Sequence, residues 1–426
     1  MNNYEKLEKI SSGFLLLVVA FFFATAMSVK GGANLSVFLL FLISFFYLKK
    51  QKIKEQVSIF LVLALPFFLS LTQLLLGYDI PINALDSPLR MALAAFGVFS
   101  LVWVRTDDLL KSVALVVVGV LGVAVWAYLS THYSHFAWGL NGQSGQRAWN
   151  GFSNPIPFGV LSVMLGFVAV LLPLESLGVN SNFSIVIKLV SLSCGLFSGY
   201  LSVSRSIILV VPFLMLIVAF YYFQNSFKKA ILCLVLMMIG TSSAIMFSQS
   251  FMKTRIEAGI REFATINKNM NNAVGLRVEM WRVAGEIIED NFLFGIGKSG
   301  YHQKINEMII DGDASPFIKK APHPHNELLT MGVEMGIFGI IAGGLLYFFP
   351  LWFFIAALRQ QDEVKRFAGA AGATVCVTFF IAGLIDSYFW IVSLTSVYAV
   401  CVTVFFAMLL ARKRELTSAS ACFEEK

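Results

Sequence analysis

The sequence predicts an all-α, polytopic integral membrane protein of about twelve transmembrane helices, with one large, partly helical segment outside the membrane. Three observations carry that reading. Of 426 residues, 58% are hydrophobic, only 13% are charged and 41 are Phe, and the mean hydropathy is +0.77; ordinary water-soluble domains do not have that balance. Apolar stretches long enough to span a bilayer recur along the chain. Lys and Arg fall in alternate connections, the pattern that sets orientation in a membrane.

The apolar stretches cover residues 11–28, 33–48, 57–77, 88–104, 109–130, 155–174, 184–203, 206–223, 229–248, 328–357, 367–385 and 388–411. The fourth follows Asp86-Ser87-Pro88, where a short acidic side chain and a proline suit the capped start of a helix. The seventh and eighth flank Ser202-Val203-Ser204-Arg205, a connection so short that it reads either as a loop or as a break within one region. Three parts result: residues 1–248, holding nine spans and a shorter outer loop at 131–154; a large outer loop at 249–327; and residues 328–426, holding the last three spans and a short tail.

Orientation follows from the basic residues. Lys6 and Lys9, Lys49 to Lys54, Arg105 and Lys111, Lys228 and Lys229, Arg359 to Arg366, and Arg412 to Arg414 share one side if the helices alternate from an inner N-terminus. Both termini are then expected in the cytoplasm, with the two long loops outside. The net charge of +7 is largely this signal and gives no reason to invoke nucleic acid. The first apolar run lacks a small-residue cleavage site and reads as a span. Cys194, Cys233, Cys376, Cys401 and Cys422 lie in spans or the inner tail and form neither a disulfide framework nor a metal spacing. His132, His135, His302, His323 and His325 all fall on the outer side, where any chemistry is therefore expected.

The loop 249–327 exceeds the usual connection length. Within it Leu276, Met280, Val283 and Ile287 recur at helical spacing, with Glu279, Arg282, Glu286 and Glu289 on other faces, which predicts an amphipathic helix. Asn291 to Tyr301 is turn-rich, and Gly295, Gly297 and Gly300 permit close backbone approach. Gly295-Ile296-Gly297 follows no predicted strand and completes no dinucleotide fingerprint, so nucleotide binding is discounted. In the shorter loop Tyr133, Phe136, Trp138 and Trp149 suit sugar rings, as they equally suit the aromatic belt of a membrane surface.

The run Ala321-Pro322-His323-Pro324-His325-Asn326 lies where the large loop meets the tenth span. Its prolines favour extended backbone, so the next helix is expected just after Pro324 with His325 on its first turn. The positive end of that helix disfavours imidazolium and leaves a ring able to accept a proton, as a general base must. Arg205, between two apolar spans, suits the phosphate of a membrane-embedded lipid, or snorkels to the surface. Arg277 opens the amphipathic helix one turn before Trp281 and either meets an anion or pairs locally with Glu279 or Glu286. Arg147 is a third outer arginine, and Asp386 is placed to orient a base or to cap a helix. His323 and His325, with His132 and His135, have permissive metal spacing, but no acidic or cysteine ligand stands beside them in a recognisable pattern. No metal and no cofactor are expected.

Taken together, these residues resemble the bacterial O-antigen ligase family (WaaL type) within the wider O-antigen ligase and polymerase superfamily. His325-Asn326 is followed after nine residues by Gly336 and then by Gly339, as in the ligase pattern. Leu276-Arg277 to Trp281, Gly295-Ile296-Gly297 and Ser204-Arg205-Ser206 look like the superfamily's Arg-to-Trp, Gly-x-Gly and intramembrane Ser-Arg elements. The resemblance implies a C-type membrane glycosyltransferase in the bacterial inner membrane, working at its periplasmic face without nucleotide or metal. The donor would be a glycan on undecaprenyl diphosphate and the acceptor lipid A-core oligosaccharide. Arg205 and Arg277 would hold the diphosphate and stabilise the leaving group, and His325 would activate the acceptor hydroxyl in an inverting displacement. Arg147, Trp281, His323, Asn326 and Asp386 are expected to contact substrate. The rival readings are an O-antigen polymerase or a protein O-oligosaccharyltransferase of the same superfamily and, from another class, a lipid-linked glycan flippase. A flippase should concentrate polar residues within its spans, whereas here they gather in two outer loops.

Overall fold

The computed structural model describes residues 3–48, 50, 54–133, 147–223, 226, 228–229, 231–232, 235, 251–264, 272–298 and 300–424. The expected span at 229–248, with Cys233, lies largely outside them, as do His135, Phe136 and Trp138 of the shorter loop. The described residues form α-helices and short 3₁₀ turns, with no strand among them. The first half of the chain gives α1 (Asn3–Thr25), α2 (Gly32–Ser44), α3 (Lys54–Leu75), α4 (Asp86–Ala95), α5 (Gly97–Leu101), α6 (Thr106–Val113), α7 (Val116–His132), α8 (Pro155–Leu171), α9 (Ser181–Ser202) and α10 (Ser206–Phe223). Then come α11 (Phe251–Ala264), α12 (Ala273–Asp290), α13 (Tyr301–Asp311), α14 (Glu327–Leu358), α15 (Glu363–Gly383) and α16 (Val392–Glu424).

Eight helical stretches are long and apolar enough to cross a membrane, namely Lys54–Leu75, Ile82–Leu101, Thr106–His132, Ser181–Ser202, Ser206–Phe223, Glu327–Leu358, Glu363–Gly383 and Val392–Ser420. Three apolar helices, Ile10–Thr25, Gly32–Tyr47 and Pro155–Leu171, are shorter. Pro155–Leu171, at 17 residues, measures about 26 Å, somewhat less than the roughly 30 Å of a hydrocarbon core. The chain is thus a multi-pass membrane protein.

α16 is the central helix and is buried on nearly every side, while α9 exposes Phe183, Ile185, Val186 and Leu189. Lipid is as apolar as a protein core, so hydrophobicity does not distinguish these two environments; small residues mark the true helix contacts. Between α8 and α9 a Cβ on Gly195 would lie 3.1 Å from the Cα of Gly166, and Ser162, Ser191 and Ser198 are buried alongside. Asp86, expected as a cap, is instead the first residue of α4 and pairs with Arg90 at 2.9 Å. An acceptor one helical turn away is a ready partner for an arginine at this position.

A second, smaller core lies outside the main one and unites Met280, Val283, Ala284 and Ile287 of α12 with Tyr301 and Ile305 of α13, Ile318, and Val333 of α14. The predicted amphipathic stripe is the face that α12 buries. What fastens this unit to α14 is a break in the helix. Gly336 has φ 62 and ψ −147, a conformation open essentially to glycine alone, and the interruption takes neighbouring backbone groups out of the helical ladder. The turn-rich segment replaces the lost partners: Ile296 N donates to Val333 O at 2.9 Å, Gly297 N to Glu334 O at 3.0 Å, and Ile337 N to Phe292 O at 2.7 Å. Gln73 of α3 adds Nε2 donation to Phe294 O at 2.6 Å and Glu334 O at 2.7 Å. The Gly295-Ile296-Gly297 stretch and the glycine after His325-Asn326 are therefore the two halves of one backbone joint.

A Cβ at residue 336 would stand 2.5 Å from Leu293 O and Phe292 O. Gly336→Ala is therefore expected to lower stability by about 1–3 kcal/mol or more. Gly344→Ala, where a Cβ meets nothing within 4 Å, should be neutral or slightly stabilising. Thermal unfolding of the two variants in one detergent compares them directly, and equal melting temperatures would contradict the joint.

Candidate active site

The polar run before α14 does not enter the helix where its prolines suggest. α14 begins at Glu327 with Asn326 as its N-cap, whose Oδ1 accepts from Leu329 N at 3.1 Å. His325 precedes the cap with φ 53, a left-handed conformation uncommon for histidine. The expectation that His325 sits on the first helical turn is thus corrected: the asparagine side chain is a better cap and displaces the histidine outward.

That strained backbone aims the ring at the α15–α16 connection. His325 Nδ1 lies 2.9 Å from Asp386 Oδ1. Ser387 N also donates to that oxygen at 2.9 Å. Burial opposes ionisation of Asp386, but the His325 bond and charge, with the Ser387 N–H, hold its carboxyl below the usual range. An ionised Asp386 accepts from Nδ1–H, which leaves Nε2 as the ring nitrogen not engaged by the carboxylate. The connection is itself anchored to the start of α14, because Asn326 Nδ2 donates to Leu384 O at 3.1 Å and Glu327 Oε2 accepts from Phe389 N at 2.8 Å. Thr330 and Ser387 share a hydroxyl bond of 2.7 Å.

His323 is buried. Its Nδ1 accepts from His325 N at 3.3 Å, and its ring meets that of His325 edge to face, centroids 4.5 Å apart. Burial, then the His325 charge, pushes its pKa down to about 4, with Asp386 opposing. Trp281 donates Nε1–H to Pro324 O at 3.1 Å, tying α12 to this run.

Arg277, at the start of the second turn of α12, is half-buried and does not take the local acids: Glu279 pairs with Arg282 at 2.9 Å, and Glu286 also pairs with Arg282. Its Nε is buried without a hydrogen-bond partner. Burial, reinforced by the charge of Arg205, lowers its pKa, while Asp386 and Glu262 oppose the shift. Arg205 follows Val203, whose φ is 52, in a three-residue connection between α9 and α10, so the short stretch is a true turn between two helices. Its Nη1 lies 3.4 Å from Glu262 Oε2 on α11. Arg277 therefore lies within electrostatic reach both of Arg205, from a separate element, and of Asp386.

Arg147 lies at the end of α9, where its Nε donates to Ser202 O at 2.9 Å and Ala148 N donates to Leu201 O at 2.8 Å. Its position steadies the turn that carries Arg205. His132 stacks on Tyr128, and His302 is exposed on α13. Sequence reasoning missed Glu262, Trp390, whose ring lies 5.3 Å from that of His323, and the buried pair of Lys298 and Glu334 at 3.2 Å. The signal for the last was present, since Glu334 is a carboxylate inside an apolar span.

His323, His325 and Asp386 bring one potential ligand atom each within 4.8 Å of one another, and among the described residues they are the set able to hold a metal ion. Nδ1 of His325 is taken by Asp386 and Nδ1 of His323 by a backbone N–H, so a metal would have to bind through the Nε2 atoms or break those bonds; Asp386 is the acidic neighbour that the sequence pattern did not reveal.

Residues 190–344 match the model of the O-antigen ligase family, Wzy_C. The stretch runs from α9 into α14, includes Arg205, Arg277, Trp281, His323, His325, Asn326 and Gly336, and bears out the resemblance to that family; Asp386 and Arg147 lie outside it. The chain is also 23% identical over 222 residues to a protein of Haemophilus influenzae described as uncharacterized, an alignment covering 50% of this chain and 55% of that protein. The chain thus spans about half the length of the relative it matches.

The buried His323 gives the site a measurable signature. Below the ordinary histidine range of about 6.5 the unfolded chain binds a proton at this ring that the folded chain refuses until about pH 4, so stability falls as pH drops through that window. His323→Gln should lose part of this pH dependence, read as a smaller drop in melting temperature between pH 7 and pH 4.5. An identical drop in both proteins would contradict a neutral buried ring.

Proposed function

We propose that the chain is an O-antigen ligase, a glycosyltransferase that moves a glycan from undecaprenyl diphosphate to a hydroxyl of lipid A-core oligosaccharide during lipopolysaccharide synthesis. It works from the bacterial inner membrane with both termini in the cytoplasm and the site at the periplasmic face. In this reading the protein has the C-type glycosyltransferase architecture, with residues 249–327 as its periplasmic segment. The observation that carries the proposal is the half-buried guanidinium of Arg277, its Nε unpartnered, within electrostatic reach of Arg205 and of Asp386, the partner of His325.

The chemistry assigns each group a step. His325 Nε2 removes the proton of the acceptor hydroxyl as that oxygen attacks the anomeric carbon from the face opposite the phosphate. Asp386 holds Nδ1–H and stabilises the imidazolium that forms. The bond from the anomeric carbon to the phosphate oxygen breaks, and undecaprenyl diphosphate leaves with its electron pair. Arg277 and Arg205 stabilise the charge developing on those oxygens, which in a site of low dielectric is a large effect. One displacement inverts the anomeric configuration. Trp281, Asn326 and His323 shape the site from its walls, and Arg147 supports it from the end of α9.

The ligase is favoured over the polymerase by the spacing of His325-Asn326 to Gly336 and Gly339. Reconstitution with an undecaprenyl diphosphate glycan, with and without lipid A-core, tests it by gel mobility of the products. Glycan should move to lipid A-core without nucleotide and in the presence of a chelator. Longer lipid-linked glycan with the core ignored would mean a polymerase, and no transfer to either would return the flippase reading. His325→Ala should abolish transfer in inserted protein, and Asp386→Asn should slow it roughly 10²- to 10⁴-fold; unchanged rates in both would contradict the assigned base.

A further inference from the structure

At the end of the helices opposite His325, the loop after α8, the C-terminal end of α10 and the first turn of α15 surround a cavity of about 450 Å³. α15 has 21 residues, about 30 Å at 1.5 Å per residue, so a membrane's thickness separates this cavity from Asp386. Its charged lining is three cations, Lys188, Lys229 and Arg366, against two carboxylates, Glu175 and Glu363. Glu175 is taken by Lys188 at 3.2 Å.

Arg366 is half-buried, its guanidinium carbon 5.3 Å from the ring centroid of Tyr221 and its Nε buried with no hydrogen-bond partner. A buried donor without an acceptor is costly. An arginine whose guanidinium lies against a ring also loses little entropy on binding a planar or tetrahedral oxyanion. The N-terminal end of α15 is already capped by the Asp362 carboxylate, so it is the side chain of Arg366 that faces the cavity with positive charge. Lys229, also in the lining, is exposed.

The geometry points to a phosphate site at this end of the bundle, held by Arg366 with Lys229, and independent of the glycan-transfer centre. Its source is the headgroup of an anionic membrane lipid or a small phosphate ester. The cavity lies at the ends of α9 and α10, both long and apolar enough to cross a membrane, which places a headgroup within reach while the acyl chains stay in the bilayer.

The test uses the full chain in detergent micelles. Native mass spectrometry reads retained dioleoyl phosphatidylglycerol against dioleoyl phosphatidylcholine, with glycerol 3-phosphate added in a second arm. Wild type should retain the anionic lipid preferentially, and Arg366→Gln should lower its occupancy about tenfold, one charge-assisted contact. Arg359→Gln, at an exposed arginine that lines a different cavity, should not. Displacement of the lipid by glycerol 3-phosphate would assign the same site to free phosphate esters. If Arg366→Gln does not fold, the exposed Lys229→Gln decides by the same reading. Wild-type retention in the folded variants, or an equal loss in Arg359→Gln, overturns the proposal.

Discussion

The helix break at Gly336 is the constraint on which the rest of this structure depends. In an apolar setting every backbone N–H and C=O needs a partner, and each one left without costs several kcal/mol. An interrupted α14 is therefore tolerable only when another segment supplies those partners, and residues 292–297 do so with three backbone hydrogen bonds. Gln73 reinforces the same joint from α3. The joint fixes where α12 lies, and α12 carries Arg277 and Trp281. The first turns of α14 fix His325 through the Asn326 cap. The placement of Arg277 and Trp281 thus rests on backbone satisfaction around one glycine, to which the His325–Asp386 and Trp281–Pro324 hydrogen bonds are added.

Within the frame so set, the charged groups differ in how firmly they are held. Lys298 and Glu334 are both nearly buried, at 12% and 3% side-chain exposure, and belong to the scaffold. The Arg205–Glu262 pair is longer, 3.4 Å, with side chains 32% and 21% exposed. Such a pair contributes little and yields readily to a more highly charged anion. In the proposed reaction the diphosphate competes with Glu262 for Arg205, while Arg277 needs no partner displaced at its Nε. In the same proposal acid–base work falls to His325 and Asp386 and leaving-group stabilisation to the arginines, which belong to separate elements.

Much of this arrangement was legible in the chain. The amphipathic stripe of α12 follows from spacing and polarity, and Asp386, which the sequence left as either the partner of a base or a helix cap, is brought by the structure to His325. The left-handed backbone of His325 was not legible, because proline spacing predicts where a helix can start and not which residue caps it. Arg147 carries the same residue type as Arg277 yet bonds a helix end, a distinction that depends on tertiary position. The pairing of the Gly295 and Gly336 segments was hidden for a different reason: glycine shows that backbones can approach closely and does not say which ones. Helix count was limited by lipid itself, since an apolar stretch of 17 residues has the same composition whether it crosses alone or is buried within the bundle.

The central claim is that the joint at Gly336 holds Arg277 and His325 where, with Arg205 from the α9–α10 turn, they can serve a single reacting centre. A cryo-electron microscopy structure of the protein with a short-chain prenyl diphosphate tests it most directly. The account predicts diphosphate density between Arg205 and Arg277, with His325 Nε2 facing the position from which an acceptor hydroxyl would attack. Diphosphate bound away from both arginines, with α14 unbroken at Gly336, would contradict it.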